Sequence, residues 1–196
     1  MNIAVIQAAG ELPPRRAFTV DDVRRMVEAG VLAEDERLEL VGGDFVVMAA
    51  KGYAHEWIKS ALIRTIAPAA PEDVIVGVEM TLQFAPDTLL EPDLAIVRRD
   101  RLQKSDAGYM SVEPGGCSLI IEVAASSLNY DRRLKAALYA SLGVAELWVI
   151  DANERITWVH TGPRADGWSS IVERGPHERL TTPVLPGFSI ALSEIG

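Results

Sequence analysis

Three charged residues stand in this chain where apolar ones are expected. Asp93 follows Pro92 at the head of the run Asp93-Leu-Ala-Ile-Val97, and Glu122 interrupts Ser118-Leu-Ile-Ile-Glu-Val-Ala124. Lys135 lies on the following stretch, Asp131-Arg-Arg-Leu-Lys-Ala-Ala-Leu-Tyr139. Charged side chains are seldom buried unless paired or metal-bound, so a carboxylate inside a continuous apolar strand needs a reason. Two carboxylates on neighbouring strands with one nearby lysine can hold a divalent cation and position a water. Mg²⁺ suits such a pair because it takes one or two carboxylates and keeps several waters; Mn²⁺ is an acceptable substitute. Lys135 would hold the attacking water or the negative charge developing on a phosphate. Each residue also has an ordinary explanation. Asp93 reads as a Pro-Asp turn, Glu122 as half of a buried ion pair (with Lys135 as one partner), and Lys135 as an i,i+4 partner of Asp131 on an exposed helix face. Requiring all three at once, in this order, weakens those explanations.

The elements that must place these residues follow from periodicity. Residues 1–17 read as a tail punctuated by Pro13-Pro14-Arg15-Arg16. Thr19, with Asp22 three residues on, reads as a capping box for a helix carrying Val23, Met26 and Val27 and ending at Gly30. Leu38–Val41 and Asp44–Met48 read as a hairpin around Gly42-Gly43. His55 to about Ala67 reads as a second helix, stopped by Pro68 and Pro71. Residues 74–84 form one long strand or two short ones. The Asp93 strand, a polar loop to Gly116 and the Glu122 strand follow, then a helix over 131–142 with Gly143 as its C-cap. Glu146–Ile150 and Arg155–His160 form a hairpin, and strands over 168–173 and 184–192 close the chain. Within the Glu122 strand, Ser118, Ile120, Glu122 and Ala124 share one face, and Leu119, Ile121 and Val123 the other. Both faces read as buried, which marks a central strand. The pattern is a single α+β domain over 18–196, with a mixed sheet flanked by helices (α/β/α-like).

Composition narrows the function. The chain has 196 residues, long enough for one domain with a substantial core. The apolar runs are strand-sized, so no membrane partner is expected. No basic segment precedes the short apolar run at Met1–Gln7, so a cytoplasmic protein is expected. The lone Cys117 enters an apolar strand and reads as a buried spectator. A net charge of −9 speaks against a general nucleic-acid coat protein. It leaves room for an enzyme with a local basic rim, and Arg98, Arg99, Arg101 and Lys104, then Arg132, Arg133 and Lys135, follow the two carboxylate strands. No Gly-x-Ser-x-Gly, P-loop or Gly-x-Gly-x-x-Gly pattern occurs. His55, His160 and His177 lack zinc-ligand spacing, and His160 and His177 read as surface residues.

The order Pro92-Asp93, Glu122-Val123, Lys135 resembles the PD-(D/E)xK nuclease superfamily in a variant whose lysine sits on the next helix. More closely, the chain resembles the Uma-type putative restriction endonuclease family. The resemblance rests on Arg37-Leu-Glu-Leu-Val-Gly-Gly-Asp44, His55, Glu91-Pro-Asp-Leu-Ala95, Ile120-Ile-Glu-Val-Ala124, Tyr130-Asp-Arg-Arg-Leu-Lys135 and Leu138–Asp151. It implies a restriction-endonuclease-like core with Asp93 and Glu122 binding Mg²⁺, helped by the Val123 carbonyl. It further implies that Lys135 orients the nucleophilic water, that Glu39 completes the metal shell, and that His55 lies near the site. Ala125 and Gly42-Gly43-Asp44 depart from the family's more acidic pattern.

The expectation is therefore a Mg²⁺-dependent endonuclease acting on nucleic acid, DNA first. The alternatives are a non-catalytic binding or assembly module on the same fold, and a purely structural network of the three charges. The apolar segments Leu147–Ile150 and around Trp158 suggest a surface for a homodimer, which would suit cutting two strands.

Overall fold

The structure is a computed structural model that describes residues 16–33 and 35–195. Most of the tail expected over 1–17 lies outside the described residues. Helix α1 (Val20–Glu28) opens on the expected capping box, with Thr19 and Asp22 exchanging bonds. Strands β1 (Leu38–Val41) and β2 (Asp44–Val47) form the hairpin. Its turn places Gly42 at φ 55° and Gly43 at φ 84°, the left-handed backbone that glycine tolerates best. Helix α2 (Tyr53–Ala69) begins two residues before His55 and runs to one residue past Pro68, which lacks the N–H that would bond back to the Arg64 carbonyl, so the helix ends there. The 74–84 segment is two strands, β3 (Val74–Val78) and β4 (Leu82–Ala85). After β5 (Thr88–Leu90) and β6 (Leu94–Arg98), the segment expected to be a polar loop contains β7 (Leu102–Lys104) and β8 (Met110–Val112). Three-residue strands with polar residues between apolar ones leave almost no periodic signal.

Strand β9 (Cys117–Ala124) leads into helix α3, built from the contiguous segments Leu128–Tyr130, a wide π-type turn Asp131–Lys135, and Ala136–Ser141. Strands β10 (Glu146–Asp151), β11 (Thr157–Arg164) and β12 (Gly167–Arg174) follow, then the short pair β13 (Arg179–Leu180) and β14 (Ile190–Ala191). The strand expected over 184–192 is thus confined to two residues.

Among the described residues twelve strands form two six-stranded sheets rather than one, and β13 and β14 pair as a small third sheet. The first has the order β2-β1-β5-β4-β8-β7, the second β12-β11-β10-β9-β6-β3. Both are mixed: β4 and β8 run parallel in the first, β9 and β10 in the second. β9 is central in its sheet, and its two faces enter different cores. Leu119, Ile121 and Val123 pack with Ile58, Leu62 and Ile66 of α2. Ile120 packs with Ala136 and Tyr139 of α3 and with Leu82 and Leu90 of the first sheet. A parallel β9–β10 pair requires a crossover, and α3 supplies it, returning over the face that carries Glu122.

Two expectations about surface are reversed. Leu147, Trp148, Val149 and Ile150 are wholly buried and Trp158 nearly so, so they form core rather than a dimer surface. Those strands pair on both sides within the sheet, which leaves them no free edge. His160 is also buried. Its Nδ1–H donates to the carbonyls of Trp158 (3.0 Å) and Leu147 (3.2 Å), and its ring meets Trp168 edge-on. Burial depresses its pKa below the usual 6.5, Arg132 adds to this, and the two backbone bonds oppose it. A histidine depressed in the folded chain loses stability as pH falls through 6.5, because the unfolded chain takes the proton first. Urea midpoints are expected to drop between pH 7.5 and 5.5, and by less in His160→Gln. An equal drop in both proteins would remove His160 as a cause.

Candidate active site

The chain passes from the first sheet into the second at Glu91-Pro92-Asp93, between β5 and β6. Pro92 disfavours a helical turn at Glu91 and keeps the crossing extended. The antiparallel pairing Leu94↔Ile121 puts the next residue out, Asp93, opposite Glu122. Facing residues of an antiparallel pair share one side of the sheet, so the two carboxylates become neighbours across β6 and β9. The Val123 N–H donates to Asp93 Oδ2 at 2.8 Å and locks that register. Glu39 arrives from β1 of the other sheet, its Oε1 accepting from the Glu91 N–H at 3.0 Å.

Helix α3 brings the cation. Lys135 Nζ donates to Glu122 Oε1 at 2.9 Å and lies 3.0 Å from Glu39 Oε1. One helical turn on, Tyr139 OH donates to the same Glu122 oxygen at 2.6 Å. The i,i+4 spacing puts both donors on one helix face. Glu39, Glu122, Lys135 and Asp93 are all buried. The π-type turn around Lys135 is a common feature of functional sites, and the Ala136 carbonyl beside it accepts from Trp168 Nε1 at 2.7 Å. Lys135 is therefore not on an exposed face, and Asp131 bonds Ser127 Oγ at 2.5 Å instead.

Asp93 has its own partners. His55 Nε2–H donates to Oδ2 at 3.0 Å, and Lys51 Nζ lies 3.0 Å from Oδ1. Lys51 also bonds Glu79 at 2.5 Å; Lys59 bonds Glu79 as well, and Glu56 at 2.8 Å. Glu79 holds this position with φ 49°, an unfavourable backbone for a residue with a side chain and one of the places where strain gathers near function.

The two carboxylates differ electrostatically. For Asp93, burial pulls upward, but His55, Lys51 and the Val123 N–H outweigh it and hold the carboxyl at about 2. For Glu122, burial pushes the carboxyl up; Lys135 opposes this, while Asp93, Glu39 and Asp131 reinforce it. Lys135 stays protonated: burial works against its charge, and Glu122 and Glu39 overcome it.

Glu39, His55, Asp93, Glu122 and Lys135 line one cleft of about 300 Å³. Glu91, Asp131 and Lys51 line it too, so carboxylates outnumber ammonium groups around it. An all-oxygen donor set with surplus negative charge fits a hard divalent cation better than a soft one. Among the described residues no group of three or more His, Cys, Asp or Glu is arranged to hold a metal. The donor set therefore suits two carboxylates completed by water rather than a closed cage. Asp93 and Glu122 would hold the ion, with Glu39 alongside; Lys51 occupies an oxygen of Asp93 that the ion would share. The Val123 N–H is committed to Asp93.

The sequence reading brought forward Glu39, His55, Asp93, Glu122 and Lys135, and the fold gathers them. It missed Tyr139, whose spacing from Lys135 was a usable signal. It also missed Lys51 and Glu79, which carry no local signal. Of the two basic clusters, only Lys135 reaches the cleft among the described residues. Arg98 pairs with Asp100, Arg101 with Glu113, and Arg132 stacks on Trp158, and among the described residues no arginine lines the cleft.

Residues 20–193 match the model of the Uma2 family, described as putative restriction endonuclease. The chain belongs to the Uma2 family. A solved structure of a putative nuclease belonging to DUF820, from Anabaena variabilis, superposes with a TM-score of 0.69 at 18% identity. The match covers 91% of this chain and 97% of that one, so the Uma2 chain has that nuclease-like mixed α+β fold. A comparison with curated proteins found no match. Among the described residues no helix is long and apolar enough to cross a membrane.

Proposed function

We propose that this Uma2 protein is a Mg²⁺-dependent endonuclease that hydrolyses phosphodiester bonds in nucleic acid, DNA first, with Mn²⁺ able to replace Mg²⁺. The observation that carries the reading is the placement of Asp93 opposite Glu122, with the Lys135 ammonium bridging Glu122 and Glu39. A bound cation would supply charge neutralisation at the scissile phosphate and acidify a water.

The residues of the chain divide the remaining work. Asp93 and Glu122 bind the ion, and Glu39 extends the acidic shell. An ammonium has three N–H donors; Lys135 gives one to Glu122 and is ion-paired with Glu39 at 3.0 Å, which leaves donor capacity to orient a water or a phosphate oxygen. His55 holds Asp93, and Tyr139 holds Glu122, so both carboxylates keep their directions when a ligand enters. A homodimer belongs to this reading because two sites cut two strands; the surface that favours it is the edge strand β12, where Ile171 and Val172 are exposed.

The test is cleavage of supercoiled plasmid, single-stranded DNA and RNA with Mg²⁺ or Mn²⁺ against EDTA, with light scattering on the same samples. Cleavage that requires the metal is expected. No cleavage of any substrate, together with no metal binding, would favour a non-catalytic binding module. A scattering mass of one chain would remove the homodimer.

A further inference from the structure

Helix α2 carries a feature that the cleft chemistry does not use. Tyr53 and Trp57, one turn apart, stack on each other with ring centroids 5.7 Å apart and planes 20° from parallel. Their exposures are 79% and 45%, in a chain whose other large aromatics sit mainly in its cores. The pair lines a depression of its own, and its neighbours in sequence, Lys51, Gly52 and His55, line the cleft. Arg64 is exposed two turns beyond Trp57 and shares a shallow surface depression with Tyr53 and Trp57, about 10 Å along the helix axis. Glu56 lines the same depression, but Lys59 pairs with it at 2.8 Å and offsets its charge.

Two exposed π-faces next to a cleft, followed by a guanidinium, match unpaired nucleobases with a phosphate beyond them. The net charge of −9 adds a reason: broad attraction to phosphates is weak here, whereas stacking needs no net charge. Bases inside a duplex present their faces to each other and not to a protein.

Resting on the nuclease reading above, we propose that Tyr53 and Trp57 form a stacking platform for unpaired bases and lead a single-stranded or frayed segment into the cleft. Aromatic stacking is worth roughly 5- to 150-fold in affinity per base.

The test is fluorescence anisotropy in EDTA with the full chain. The ligands are labelled oligo-dT, oligo-rU, an abasic strand of equal length and charge, and a closed blunt hairpin duplex. Oligo-dT or oligo-rU is expected to bind at least about tenfold tighter than the abasic strand or duplex, with a shallow salt dependence. Tyr53→Ala with Trp57→Ala should erase the preference, and Tyr53→Phe with Trp57→Phe should keep it, which separates stacking from misfolding. The dT and rU arms tell which sugar is accepted. Equal affinity for base-bearing and abasic strands, no binding at all, or an unaffected double alanine variant each overturns the platform. Metal-dependent plasmid cleavage by the wild type, run in parallel, tests the nuclease reading separately. Cleavage without base preference sinks the platform alone, and base preference without cleavage sinks the nuclease alone.

Discussion

Glu122→Gln is expected to lower metal-dependent cleavage by about a thousandfold or more while leaving the chain folded. A carboxylate that helps hold the ion supplies several kcal/mol of charge stabilisation, and each ~1.4 kcal/mol is a factor of ten in rate. Glutamine keeps the size of the side chain, and its carbonyl oxygen still accepts from Lys135 and Tyr139, which now share Glu122 Oε1. The fold therefore has no reason to fail. Stability should even improve at high pH. Burial raises the Glu122 carboxyl above its ordinary 4.5, so in the metal-free protein its ionisation removes stability as pH climbs beyond that value. Glutamine has no such loss. Initial nicking rates and urea midpoints at pH 8, measured on the same preparations, check both halves. Cleavage at the parental rate would move the chemistry away from this cleft.

Lys135→Ala is expected to cost about 3–5 kcal/mol of folding stability, a large share of what an ordinary domain has. Its ammonium is buried between Glu122 and Glu39, and without it two carboxylates remain facing each other in the interior. Removing one of them should restore part of the loss. Lys135→Ala combined with Glu122→Gln is therefore expected to be more stable than Lys135→Ala alone, with a coupling measurable in a double-mutant cycle. Denaturant midpoints of the four proteins give that coupling. A loss below about 1 kcal/mol, the scale of an exposed pair, would mean that Lys135 is solvated and the network open. The two experiments together also separate a catalytic site from a structural one. A purely structural network predicts the stability pattern with no metal-dependent cleavage to lose.

Much of the frame was legible because it is written at short range. Thr19 and Asp22 announce a helix start three residues apart. The alternation along β9 assigns Leu119, Ile121 and Val123 to one side and Ile120 and Glu122 to the other, and the two cores divide in that way. The polar interruption itself marked Asp93, Glu122 and Lys135, since a charge in an apolar run is costly unless something answers it. His160 failed for the complementary reason. Its burial depends on Trp168, eight residues later and one strand over, and on carbonyls of β10 and β11. The loop after Val97 failed because strands of three residues carry too little pattern. Their stability comes from pairing rather than from their own residues, as when β8 binds β4 and β7.

By its own pattern, then, the chain determined its α+β class, its central strand and the three charges that demand partners. Tertiary structure alone decided that there are two main sheets, and that the chain crosses between them at Glu91–Asp93. That crossing brings Glu39 to Lys135 and places Lys51, held by a strained Glu79, against Asp93. Periodicity reports which way a side chain points within its own element, over a few residues. Which carboxylate it meets depends on how elements tens of residues apart pack, and that is set by the summed burial of both cores rather than by any local segment.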